Sequence, residues 1–229
     1  MTPDEAKRLQ SRLGVIPDGV LGPVSYAALF TRMAGKPIPH AAAFGRGAAE
    51  HFPAYEITTP LRLAHFMAQT HVESMGYTRL VESLNYSAKR LTQVWPNRFP
   101  TNPVAGQFVA ARFANNPEAL ANATYGGRMG NTQPGDGWRY IGRSIKQITG
   151  RENYAKCAAR TGLDLINHPE IAADPEHSVH IACDYWGSRC INPLADRDDI
   201  VAVTKAINGG LNGLDDRRAQ LVRAKALLL

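Results

Sequence analysis

One helix that ends beside a carboxylate constrains this chain more than any other stretch of its sequence. Apolar side chains recur at three- and four-residue spacing, which predicts a helix with a broad buried stripe formed by Leu63, Ala64, Met67, Ala68, Val72 and Met75. Gly76 supplies the left-handed conformation that commonly ends helices, so Glu73 falls in the predicted last turn. We therefore expect a buried central helix, beginning near Pro60, that presents a carboxylate at its C-terminal end.

The predicted position of Glu73 suits a general acid. A carboxylate there faces the negative end of the helix dipole and a partly apolar wall, and both effects disfavour its ionised form. Glu82 follows beyond Gly76 in a polar context that should keep it ionised. Two carboxylates in unlike surroundings are what glycoside hydrolysis requires. Spacing alone favours two structural glutamates, because pairs of glutamates are common. In that interpretation Glu73 caps a polar patch and Glu82 is a solvated surface residue.

Two motifs surround these glutamates. Residues 68–77, A-Q-T-H-V-E-S-M-G-Y, resemble the A-Q-x-x-H-E-S/T-x-G-F/Y segment of glycoside hydrolase family 19, particularly its bacteriophage endolysin branch. Residues 80–87 resemble the E-N-L-N-Y-S segment that follows in that branch. The resemblance implies that Glu73 is the general acid and Glu82 the base. The sequence departs from the motif at Val72 and Met75.

Residues 140–150 alternate in a way that predicts a short strand or hairpin arm. They resemble the family's G-R-G-x-x-Q-L/I-S/T segment, whose Gln and Ser/Thr line the sugar groove. The match implies substrate-binding roles for Gln147, Thr149 and the nearby Asn153, although Gln147 could equally tie adjacent loops together. Because adjacent side chains of a strand point to opposite faces, Lys146 should point away from the groove.

The last matched segment lies near the C-terminus. Residues 207–218 resemble the family's I-N-G-G…D-R motif, which implies that Asn208 and Arg217 contact substrate or orient the acidic residues. The matched segments run in family order from about residue 60 to residue 218. The resemblance implies an all-α, lysozyme-like catalytic domain with a minor β-hairpin, which we assign to residues 37–229.

Residues 1–36 carry a separate pattern. Helix signals over residues 3–13 and 24–33 enclose the tight turn D-G-V-L-G-P, which predicts a helical hairpin. The same letters resemble the peptidoglycan-binding-like helical module attached to many wall hydrolases. The pattern alone is equally typical of a plain hairpin packed on the main domain. Two prolines follow within residues 35–39, so we place the domain boundary after residue 36.

Composition and charge limit the possible partners. The net charge of +6 favours polyanions, but no basic run is interleaved with aromatic residues, so we expect no nucleic-acid partner. Three cysteines without Cys-x-x-Cys spacing, and no His-Glu-x-x-His, indicate neither a disulfide framework nor a metal site. We expect no metal ion and no other cofactor.

No stretch approaches the length of about 18 apolar residues that spans a membrane, and no apolar segment of a signal peptide is present. We therefore expect a monomer that does not insert stably into membranes. It should be made in the cytoplasm of a bacterial host without a signal peptide, and act on the cell wall after release through the membrane.

Together these observations predict an endolysin-type hydrolase that cleaves β-1,4 glycosidic bonds of bacterial peptidoglycan, by inversion if the resemblance holds. Two alternatives stay open. One is a chitinase that acts on N-acetylglucosamine polymers. The other is a wall-binding protein that has lost catalysis, which is conceivable because the sequence departs from the family motifs at Val72, Met75, Ser144 and Lys146.

Overall fold

The computed structural model describes residues 1–229, which are mainly helical and contain no β-sheet, so the predicted all-α class is confirmed. The chain divides into two compact units, each with its own apolar core. The first unit contains Met1–Leu80, Arg143–Gln147 and Cys157–Leu229. The second contains Val81–Gly142 and Ile148–Lys156.

The helices are α1 (Pro3–Leu13), α2 (Pro23–Ala34), α3 (Ala41–Ala54), α4 (Pro60–Glu73), α5 (Ala88–Val94), α6 (Pro117–Tyr125), α7 (Asp136–Arg139), α8 (Arg151–Thr161), α9 (Pro175–Ser188), α10 (Asn192–Asp196), α11 (Ile200–Asn208) and α12 (Leu214–Leu228). Short 3-10 helices span Ala110–Arg112 and Pro169–Ala173. None of the helices combines the length and apolar character that crossing a membrane requires.

Helix α4 starts and ends where local chemistry dictates. The hydroxyl of Thr59 accepts a hydrogen bond from the amide of Arg62, and Pro60 occupies the first turn. Glu73 lies in the last turn, as predicted, but the helix ends at this residue and does not continue to Gly76. Met75, Gly76 and Tyr77 then adopt φ values of 52°, 71° and 63°. These three left-handed residues turn the chain sharply at the carboxylate.

The left-handed turn removes Met75 from the predicted apolar stripe, and the side chain of Tyr77 holds the turn in place. Met75 was expected to be buried on the helix but is 58% exposed, because it lies beyond the helix end. The ring of Tyr77 is fully buried, and its hydroxyl donates to the carbonyl of Met67 at 2.7 Å. This anchor offsets the backbone strain of roughly 1–3 kcal/mol that each non-glycine left-handed residue carries.

Aromatic side chains hold the core of the first unit around α4. Phe66 of α4 makes edge contacts with Phe52 of α3 at 5.0 Å and with Trp186 of α9 at 5.5 Å between ring centroids. Such edge-to-face pairs contribute energy beyond the area that they bury. Helix α12 packs along α4 as well, so α4 is enclosed by neighbouring helices.

Residues 1–36 contribute to the same core. Five of their side chains belong to it, namely Leu9, Tyr26, Leu29, Phe30 and Met33. The ring of Phe30 lies 5.1 Å from that of Phe44 and 4.9 Å from that of Tyr77. These residues are therefore packed into the first unit, and the wall-binding role predicted for them stays a prediction.

The short strand or hairpin arm predicted over residues 140–150 does not form, so this prediction is wrong. Ser144 and Gln147 have φ values of 78° and 58°, and the chain between them forms turns. The hydroxyl of Ser144 accepts from the amide of Lys146 at 3.1 Å, and the side chain of Gln147 donates to the carbonyl of Ser144 at 2.7 Å. The alternation of side chains expected of a strand does not apply to this turn.

The second unit has a smaller core. It is formed by Leu84, Leu91, Phe99, Ala110, Leu120, Ala121 and Ile141. The ring of Phe99 contacts that of Phe113 at 5.4 Å between centroids. This core supports the segment that carries Glu82 and the helix α6 that ends at Tyr125.

We predict that Phe30→Ala destabilises the first unit strongly, because it leaves a cavity where α2, α3 and Tyr77 meet. The expected loss is about 3–5 kcal/mol in the free energy of unfolding, measured by urea denaturation. Val24→Ala in the same helix is the matched control, because Val24 is 70% exposed. Equal, small effects of both substitutions would contradict the placement of residues 1–36 in the core.

Candidate functional site

Arg217 fixes the carboxylate of Glu73. Its Nη2 lies 2.5 Å from Glu73 Oε1, and its Nη1 donates to Gln69 Oε1, also at 2.5 Å. Gln69 lies one turn before Glu73 on α4, so one guanidinium from α12 bridges two turns of that helix. The side chain of Arg217 is only 4% exposed. The structure thus brings together two residues that the sequence singled out separately.

Lys146 is the second cation at Glu73. Its ammonium nitrogen lies 3.2 Å from Glu73 Oε2 and 4.4 Å from the centroid of the Tyr185 ring. The prediction that Lys146 points away from the groove rested on a strand that does not form, and it instead contacts the candidate acid. The one signal in the sequence was its departure from the family motif.

The surroundings of Glu73 therefore differ from the partly apolar wall that was predicted. Its carboxylate is 12% exposed and lies between two cations, Arg217 and Lys146. The Arg217 contact is a short charge-assisted hydrogen bond and the Lys146 contact is a longer ion pair, and both restrict the carboxylate. The site holds Glu73 in one orientation by charge rather than by apolar packing.

A polar network supports the Arg217 contact. The amide nitrogen of Gln69 donates to the hydroxyl of Thr204 at 3.1 Å, both side chains being buried. Nε of Arg217 donates to the carbonyl of Asn212 at 3.3 Å. Three helices, α4, α11 and α12, are thereby tied to Glu73. Sequence reasoning missed Gln69 and Thr204, although Gln69 belongs to the quoted motif.

Asn208 and Gln147 both lie in the first unit, and their side-chain amides differ in their hydrogen bonds. The Nδ2 atom of Asn208, the last residue of α11, is buried and has no hydrogen-bond partner within the protein. A buried donor of this kind is costly unless another group accepts from it. The side chain of Gln147 already donates to the backbone of Ser144, which is the loop-tying role left open above. Their substrate-binding roles stay predictions.

Glu82 lies in the second unit, outside any helix. Its Oε2 accepts from the hydroxyl of Tyr125 at 2.8 Å, and its Oε1 accepts from the amide of Gly142 at 2.5 Å. Burial, and then the neighbouring charge of Glu82, raise the pKa of Tyr125 well above its ordinary value. Tyr125 therefore stays protonated and donates the hydrogen bond that orients the Glu82 carboxylate. No motif in the sequence predicts this hydrogen bond.

Thr149 and Asn153 are also neighbours in the second unit. Asn153 is exposed near the start of α8, and its Nδ2 donates to the carbonyl of Thr149 at 2.8 Å. Thr149 is half-buried. The structure brings these two predicted binding residues together, and their contact with substrate stays a prediction. No group of three His, Cys, Asp or Glu side chains is arranged to hold a metal ion.

Comparison with curated proteins finds close relatives. The chain is 40% identical over 166 residues to a protein of Haemophilus influenzae described as a glycosyl hydrolase family 19 domain-containing protein, covering 72% of this chain and 78% of that protein. It is 28% identical over 145 residues to endochitinase 2 of Gossypium hirsutum, covering 61% of this chain and 41% of that protein. No family model matches the chain.

Solved structures share the fold. Chitinase C from Streptomyces griseus superposes with a TM-score of 0.59 at 19% identity, over 92% of this chain and 95% of that chain. A class IV chitinase from Zea mays superposes with a TM-score of 0.55 at 17% identity, over 88% of this chain and 91% of that chain. At these identities the comparison establishes the helical fold and nothing finer.

We predict that Arg217→Met lowers stability sharply, since it leaves Glu73 and Gln69 without their shared partner. Removing one partner of a buried ion pair typically costs about 3–5 kcal/mol, which urea denaturation would measure. Arg218→Met is the matched control, because Arg218 is 51% exposed and pairs only with exposed Asp215. A loss no greater than that of the control would contradict the structural role assigned to Arg217.

Proposed function

Since the chain belongs to glycosyl hydrolase family 19, we propose that this glycoside hydrolase cleaves β-1,4 glycosidic bonds of bacterial peptidoglycan and acts as an endolysin. The observation that carries the proposal is the Glu73 carboxylate held between Arg217 and Lys146 at the end of α4. The net charge of +6 supports an anionic wall as the target.

In the proposed reaction Glu73 is the general acid. It gives its proton to the glycosidic oxygen as the bond from that oxygen to the anomeric carbon breaks. Negative charge then develops on Glu73, and fixed cations at that position stabilise the transition state. Arg217 and Lys146 supply those charges, which supports the assignment of Glu73 rather than an exposed glutamate.

Glu82 is the proposed base. It takes a proton from the water whose oxygen attacks the anomeric carbon, and the product forms with inverted configuration. Tyr125 and Gly142 donate to its two oxygens, which orients the carboxylate. Each carboxylate oxygen has two acceptor sites, so a hydrogen-bonding site remains for that water.

Residues 1–36 are proposed to hold the enzyme at the wall. The loop between α1 and α2 exposes the apolar side chains of Ile16 and Val20, which are 81% and 69% exposed. Buried Gln10 fixes this loop through hydrogen bonds to Asp18 and to the carbonyl of Val20. A rigid, exposed apolar loop is suited to binding because little conformational freedom is lost on contact.

The route to the wall is part of the same proposal. The chain is made in the cytoplasm of a bacterial host and reaches the peptidoglycan as a monomer after release through the membrane. A chitinase is the second candidate, favoured by the relatives named as endochitinases. Zymograms on purified peptidoglycan and on chitin separate these two, and wall binding without cleavage of either polymer would favour a protein that has lost catalysis.

We predict that Glu73→Gln abolishes peptidoglycan hydrolysis, because an amide of the same shape has no carboxylic proton to donate. Loss of acid catalysis costs about 10²–10⁴-fold in turnover, measured as reducing ends released per unit time. Circular dichroism checks that the variant is folded, and Glu118→Gln on the exposed surface of α6 is the control. Near-full turnover of a folded Glu73→Gln variant would remove Glu73 from the acid role.

We also predict that the double substitution Ile16→Ser and Val20→Ser weakens binding to sedimented walls roughly tenfold, which corresponds to about 1.4 kcal/mol. Cleavage of short soluble fragments should not change, because the core contacts of α1 and α2 remain. Val222→Ser, at a site on α12 that is 67% exposed, is the control for lost apolar surface. Unchanged wall binding would show that this loop is not the anchor.

A further inference from the structure

One positive charge in the Glu73 cluster has no counter-ion. Arg217 and Lys146 are both cationic, and Glu73 is the carboxylate that they share. The three side chains are 4%, 9% and 12% exposed, so the cluster lies in a largely water-excluded place. Its net charge is about +1 when Glu73 is ionised and about +2 when Glu73 holds the proton that it donates in the proposed reaction. A buried charge without a partner is unfavourable, and an anionic group on a ligand would compensate it.

Lys146 is the cation with donors to spare. An ammonium has three N–H donors, and the Glu73 contact at 3.2 Å is longer than the roughly 2.7–2.9 Å of strong charge-assisted bonds. Its other contact is the face of the Tyr185 ring, which attracts the charge without accepting a directed hydrogen bond. The ammonium can therefore bind a second carboxylate while it stays beside Glu73.

Tyr185 extends the positive site beyond Lys146. The guanidinium carbon of Arg189 lies 5.3 Å from the centroid of the same ring. The Tyr185 hydroxyl donates to the carbonyl of Ile207 at 3.2 Å, which fixes the ring at the end of α11. Arg189 is exposed and Tyr185 is half-buried, so the three side chains form a strip from the buried cluster to the surface.

We infer that Lys146, Tyr185 and Arg189 form an anion-binding subsite that takes a carboxylate of the peptide stem of peptidoglycan. The inference rests on the proposed function, because it takes Glu73 as the acid at the scissile bond. A substrate oxygen that accepts from Glu73 would lie within about 6 Å of the Lys146 ammonium, since two hydrogen-bond lengths separate them. That oxygen is neutral, but a carboxylate attached near the scissile bond that reaches the ammonium interacts with it strongly where water is excluded.

The subsite would make the enzyme select peptidoglycan over chitin. The glycan of the wall carries peptide stems with free carboxylates, whereas chitin is a neutral polymer. A carboxylate therefore reaches Lys146 as a counter-charge only when peptidoglycan is bound. Lys146, which departs from the family motif, then determines the choice of substrate and is not a sign of lost activity.

The test compares native peptidoglycan with the same material after its carboxyl groups have been converted to amides. The wild-type enzyme should prefer the native polymer roughly tenfold in kcat/KM, which corresponds to about 1.4 kcal/mol. Lys146→Met keeps an unbranched side chain of nearly the same length that can pack on Tyr185, and should bring that ratio close to one even if both rates fall. Arg189→Ala should reduce the ratio in the same direction.

Lys205→Met is the matched control, because it removes one exposed positive charge from α11 of the same unit and should leave the ratio unchanged. A wild-type ratio that persists in Lys146→Met would overturn the subsite and leave Lys146 acting only through Glu73. A wild-type enzyme that cleaves both wall preparations equally would overturn it as well. Cleavage of chitin with no cleavage of either wall preparation would instead overturn the proposed function, and the subsite with it.

Discussion

The contact of one carboxylate with two cations organises the first unit of this protein. Glu73 at the end of α4 meets Arg217 from α12 and Lys146 from the turn at residues 144–147. Arg217 also reaches Gln69, whose amide reaches Thr204 on α11. Moving any of these elements would leave a buried polar group without its partner, so the orientation of Glu73, the proposed acid, and the packing of the helices depend on the same interactions.

Strained backbone turns lie beside both Glu73 and Lys146. Met75 and Tyr77 beside α4, and Ser144 and Gln147 beside Lys146, all adopt left-handed conformations without being glycine. Such conformations persist only where surrounding contacts determine them. Here the buried ring of Tyr77 and the hydrogen bonds of Ser144 supply those contacts, so both turns present their charged neighbours in fixed positions.

Local sequence signals predicted the helices well and the charged contacts poorly. The cap at Thr59, the proline at the start of α4 and the glycine after it define that helix and place Glu73 in its last turn. The turn at Ser144 and Gln147 gives no such signal, because nothing local marks a serine or a glutamine as left-handed. The strand prediction therefore failed there, and with it the direction of Lys146.

Contacts between residues far apart in the chain are the other features that the sequence could not predict. Apolar spacing in residues 1–36 predicted helices but could not tell a tethered module from a contributor to the core, which depends on contacts such as that of Phe30 with Tyr77. Likewise the hydrogen bond from the Tyr125 hydroxyl to the Glu82 carboxylate joins residues far apart in the chain. The family relationship fixes the chemistry as glycoside hydrolysis. The proposed preference for wall over chitin rests on the charges around Glu73.

The most direct measurement of the central claim is a proton NMR spectrum of the new sugar ends, recorded within seconds to minutes of peptidoglycan cleavage. The account predicts new reducing ends that appear first in the α configuration, because a base-activated water displaces a β-linked oxygen from the opposite side. New ends that appear first as the β anomer would contradict the inverting two-carboxylate mechanism. Release of peptides without new reducing ends would contradict glycan cleavage altogether.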